Sequence, residues 1–98
     1  MNNENQNMAN DQMVVDGMQV YVPTSQKAAA FSNSAYTQFG PEEFGIDFLN
    51  LGGVSSSVVA RVVLTPSHMK RLANLLSAKV EEYEETFGEI PENIKPLK

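Results

Sequence analysis

The chain has 98 residues, 42% of them hydrophobic, with no cysteine, one histidine and a formal net charge of −5. That length allows one small domain, and the missing cysteines exclude disulfide cross-links. The acidic balance works against non-specific nucleic-acid binding, which draws on positive charge.

Residues 1–12 are dominated by Asn, Gln and acidic side chains and show no apolar periodicity. They read as a disordered polar arm. Residues 13–30 form an N-terminal segment with a possible extra strand. Val14 and Val15 precede an Asp16-Gly17 turn signal, and Met18, Val20 and Val22 then alternate until Pro23. Thr24 to Ala30 is weakly patterned, a linker able to carry one helical turn.

Residues 31–90 carry the pattern of a strand-strand-strand-helix domain. Phe31 to Phe39 alternates and is polar enough for a sheet edge, and Gly40-Pro41-Glu42 follows as turn chemistry. In Glu43 to Leu51, Phe44, Ile46 and Phe48 face one way and Gly45, Asp47 and Leu49 the other. Gly52-Gly53-Val54-Ser55-Ser56-Ser57 reads as a hairpin loop. A phosphate loop would need a helix after it, and a strand follows instead. In Val58 to Leu64, Val58, Ala60, Val62 and Leu64 share one face, with Val59, Arg61 and Val63 on the other.

The helix signal is the clearest in the chain. Thr65 is an N-cap and Pro66 suits the first helical position. Met69, Leu72, Ala73, Leu76, Val80, Tyr83 and Phe87 then recur in steps of three and four. Gly88 can close the helix and Pro91 stops it. The acidic run Glu81, Glu82, Glu84 and Glu85 opposes the helix dipole, at roughly 0.3–1 kcal/mol each at most. Packing of the stripe outweighs that cost. Residues 91–98 read as a short tail.

The predicted fold is α+β: a three- to four-stranded antiparallel sheet followed by one long C-terminal helix. One helix covers one sheet face. Leu49, Val59 and Val63 make the other face too apolar for solvent, so these three are the interface candidates. A folding part of about 60 residues is marginal alone, which points to a homodimer.

Several short runs resemble a known family. They are Phe31-Ser32-Asn33, Pro41-Glu42-Glu43-Phe44, Ile46-Asp47-Phe48, Ala60 to His68 with Lys70-Arg71-Leu72, and Tyr83-Glu84 with Phe87-Gly88-Glu89-Ile90. The chain from Phe31 to Ile90 is similar to the small prokaryotic family called domain of unknown function 3467. The resemblance implies a compact strand-and-helix domain in the cytoplasm, and no activity.

Candidate chemistry is sparse. His68 stands in the first helical turn beside Lys70 and Arg71, with no carboxylate or nucleophile set against it. One histidine and no cysteine make a zinc site of the usual ligands unexpected. Asp47 and Arg61 come out opposite each other on neighbouring strands, as a cross-strand ion pair. No catalytic residue, cofactor or metal site is expected, and no apolar run is long enough to span a bilayer. The N-terminus lacks the form of a secretory signal, so a cytoplasmic location is expected. The reading is a non-enzymatic interaction or assembly module that self-associates and meets a protein partner. The alternative is a nucleic-acid-associated protein whose Arg61, Lys70 and Arg71 contact phosphates.

Overall fold

The structure, a computed structural model, describes residues 11–92. Most of the expected polar arm (1–10) and of the expected tail (93–98) lies outside the described residues.

The first element is a local hairpin. β1 (Gln12–Val15) pairs antiparallel with β2 (Met18–Tyr21), Val15 opposite Met18 and Gln12 opposite Tyr21. Asp16 and Gly17 both have positive φ, 51° and 81°. That is the type I′ geometry that matches strand twist and that Asp-Gly favours. Gln12, expected in the polar arm, therefore begins a strand. β2 is the extra strand expected in this segment. It pairs with β1 in a separate two-stranded sheet instead of extending the main one. A two-residue loop makes the local partner the cheapest to reach in entropy. A single 3-10 turn follows at Thr24–Gln26, inside the expected linker.

The main sheet is a meander in the order β3-β4-β5, built from β3 (Ser34–Phe39), β4 (Phe44–Asn50) and β5 (Ser57–Leu64). β3 starts three residues later than the alternation from Phe31 suggests. Polar side chains take over the pairing there. Asn33 Nδ2 donates to the Leu51 carbonyl and Asn33 Oδ1 accepts from Leu51 N–H, each at 2.9 Å. Ser32 Oγ lies 2.9 Å from both the Ser34 and Leu49 carbonyl oxygens. The Asn33 amide thus continues the ladder beyond the strand and anchors the start of the glycine-rich β4–β5 loop. Asn33→Ala removes both bonds, and we expect a loss of about 1–2 kcal/mol, read as a lower denaturant midpoint at unchanged slope.

Between β4 and β5 the register slips once. Phe48 stands opposite Ala60 but Leu49 stands opposite Val58, so Val59 is an extra, bulged residue. The expected faces change accordingly. Val58 leaves the face of Ala60, Val62 and Leu64 and joins that of Leu49, and Val59 drops out of the alternation.

β5 leads through Thr65 alone into α1 (Pro66–Phe87). The helix has the expected ends. Thr65 is extended (φ −71°, ψ 155°) and its Oγ1 accepts from His68 N–H at 3.3 Å. Gly88, at φ 99°, donates its N–H to the Glu84 carbonyl at 2.9 Å.

The core is small. Among the described residues only Ile46 (7% exposed) and Leu64 (5%) are buried hydrophobics. Alternation and register put both on the face shared with Phe44 and Val62. Met69 and Leu72, in the first two turns of α1, are half-buried. No residue of α1 is fully buried. The expectation that the whole stripe shields one side of the sheet is therefore corrected: in a single chain, burial is confined to the helix start. Thr65, the one connecting residue, leaves no loop with which to fold α1 back along β5.

Candidate assembly interface

Two uncovered surfaces stand out on the main sheet and its helix. The first is the stripe of α1. Leu76 is 54% exposed and Phe87 73%, with Val80 and Tyr83 about half exposed between them. Tyr83 and Phe87, one turn apart, stack against each other with ring centroids 5.0 Å apart. Along the helix Met69, Ala73, Leu76, Val80, Tyr83 and Phe87 fall at alternating steps of four and three. That is a heptad seam, the spacing by which one helix packs on another. The steps were legible in the sequence, but they suit a helix on a sheet as well as a helix on a helix.

The second surface is the sheet face opposite Ile46 and Leu64, together with the free edge of β5. Of the three interface candidates, Val63 is 67% exposed, while Leu49 and Val59 are half-buried. Val63 stands opposite Gly45, and Leu49 shares that face two steps along from Asp47. Val59 is the bulged residue, so the structure groups Leu49 with Val63 and sets Val59 apart. Gly45, lacking a side chain, leaves a shallow depression lined by Gln38, Phe39, Asp47, Arg61 and Val63 among others. Among the described residues no strand pairs with the outer edge of β5.

Asp47 and Arg61 are opposite each other as the strand faces require. Arg61 Nε and Nη2 donate to the two carboxylate oxygens of Asp47, each at 3.3 Å. The guanidinium is mostly in solvent and the carboxylate mostly covered. A double-mutant cycle of Asp47→Ala and Arg61→Ala should return about 0.2–1 kcal/mol of coupling. Zero coupling would reduce the pair to a coincidence of geometry.

The remaining candidates sit on the helix surface. Lys70 and Arg71 are exposed in its first turns, and His68 is exposed beside the cap. Arg61 points from the sheet and is engaged by Asp47, so the three residues named for phosphate contact divide between two elements. Lys79 Nζ donates to Glu82 Oε1 at 2.9 Å. That bond, then the charge attraction, raises the Lys79 pKa and lowers that of Glu82. The support it lends the helix is present above the ordinary carboxylate range and fades as pH falls through the lowered Glu82 value. Among the described residues no group of three or more His, Cys, Asp or Glu could hold a metal ion. No helix there is long and apolar enough to cross a membrane.

The family model described as "Protein of unknown function (DUF3467)" matches residues 1–92. The chain belongs to this family. The match reaches residue 1, beyond the Phe31–Ile90 span over which the resemblance was legible. The β1–β2 hairpin is thus part of the DUF3467 unit. Neither the curated proteins nor the solved structures yield a match.

Proposed function

We propose that the protein is a non-enzymatic assembly module that works as a homodimer. One observation carries this reading: the long apolar stripe of α1 is left in water when the chain is alone. An exposed patch of that extent marks an interaction surface in a soluble protein. Two buried hydrophobics among the described residues are too few to hold a fold of this size, since a domain's stability rests on the apolar area it removes from water. A second copy supplies the missing cover, and two-fold dimers are the commonest assembly. Light scattering on the purified full chain tests the proposal, with twice the chain mass expected at micromolar concentration. A monomer with a well-dispersed amide spectrum would overturn it.

Phosphate contact by Arg61, Lys70 and Arg71 has weaker support. Arg61 is already paired with a carboxylate, and two remaining cations on an acidic chain make a thin electrostatic footprint.

A further inference from the structure

We infer that the dimer forms by antiparallel pairing of the two α1 helices along the Met69–Phe87 seam, about a two-fold axis near Ala78. The inference rests on the homodimer reading and deepens it by naming the surface and its direction.

Direction follows from side-chain size and charge. With the axis at Ala78, an antiparallel mate sets Met69 against the mate's Phe87, Ala73 against Tyr83, and Leu76 against Val80. Each layer then joins residues from the two alternating seam positions, the pattern antiparallel helices require. The small Ala73 receives the large Tyr83, which fills space as close packing demands. A parallel mate stacks each residue on its own copy. Ala73 then leaves a thin layer and Phe87 a crowded one.

Charge points the same way. Lys70 and Arg71 lie in the first turns, and Glu81, Glu82, Glu84 and Glu85 in the last. A parallel pair sets four carboxylates beside four more. An antiparallel pair sets each acidic end beside a basic one. Lys70 and Glu84 flank the seam on the same side, seven residues either side of Ser77, so two-fold symmetry brings Lys70 of each helix to Glu84 of the other. The Glu84 carboxylate is held in place by Ile90 N–H, which donates to its Oε2 at 2.9 Å. Lys79 is the one cation set near its own copy, and Glu82 at 2.9 Å neutralises it. The seam runs about 27 Å, and the mate's Phe87 lands where Met69 and Leu72 are already half-covered. That continues the burial begun at Ile46 and Leu64.

Cysteine cross-linking tests the direction, because the native chain has no cysteine. Met69→Cys and Phe87→Cys are prepared separately, checked for native helix content by circular dichroism, then mixed, left to exchange and oxidised. The expected result is a disulfide between the two variants in the mixture and none in either alone. Within an antiparallel pair, like positions lie about 27 Å apart, far beyond disulfide reach. Cross-linking of each variant with itself would mean parallel pairing and would overturn the inference. Absence of any cross-link in a particle of dimer mass would also overturn it and leave the homodimer standing on another surface, such as the β5 edge. A monomer mass would remove both.

A charge test covers the case in which cysteine at the seam disturbs folding. Lys70→Glu should weaken dimerisation about tenfold in the native chain and strengthen it in a Glu84→Lys chain. A change in the same direction in both backgrounds would overturn the pairing.

Discussion

Diluting the protein should unfold it. If the proposed homodimer forms, with only two buried hydrophobics among the described residues, the free energy of folding should be inseparable from that of association, as in obligate dimers. Each tenfold dilution should lower the apparent stability by about 1.4 kcal/mol, by mass action alone. The melting temperature should therefore climb steadily with concentration, and helix and sheet signals should be lost together. Circular dichroism melts over about a hundredfold range, or about 2.7 kcal/mol, would resolve the trend. A melting temperature that stays level over that range would mean that the single chain stands without help.

Leu64→Ala should be the most damaging single substitution in the sheet. Leu64 is the least exposed of the described hydrophobics at 5%, and it stands at the junction where β5 passes into α1. Truncating a buried leucine costs about 2–5 kcal/mol through lost transfer energy and the cavity left behind. Set against a total of about 5–15 kcal/mol for an ordinary domain, that loss is a large share of the stability and should lower the denaturant midpoint clearly below that of the native chain. Ile46→Val, which removes one methyl from the other buried position, should cost about 0.5–1.5 kcal/mol. Leu75→Ala serves as the control. Leu75 is exposed and lies off the heptad seam, so its loss should stay within about 0.5 kcal/mol. Chemical denaturation at one fixed protein concentration compares the three. Equal losses at Leu64 and Leu75 would contradict the small core described here.

What could be read from the sequence was whatever depends on near neighbours. Thr65-Pro66 and Gly88 mark the helix ends through hydrogen bonds and torsions set within a few residues. Asp16-Gly17 marks a turn for the same reason, although its full meaning, a self-contained hairpin beginning at Gln12, depends on a partner strand, Gln12–Val15, too short to be conspicuous. The Asp47–Arg61 pair was legible because strand alternation and loop length together fix register. The slip at Val59 was not, because nothing in Val58-Val59-Ala60 announces a bulge. Asn33 was visible as part of a family pattern, but not as a stand-in for a strand partner. The helix stripe was read correctly as apolar, but in the single chain the sheet covers only its start. Periodicity tells which side of a helix seeks cover, and only the reach of the chain tells whether its own sheet can provide it.

Thr65 carries one more consequence. It is the sole joint between β5 and a helix about 33 Å long, so one pair of backbone torsions, φ −71° and ψ 155°, sets the heading of all 22 helical residues. The helix is a lever arm: a swing of about 10° at that joint carries Phe87 through about 6 Å. In a lone chain little beyond the first two turns resists such a swing. A mate clasped along the arm would hold the heading still and make the angle between sheet and helix a property of the pair.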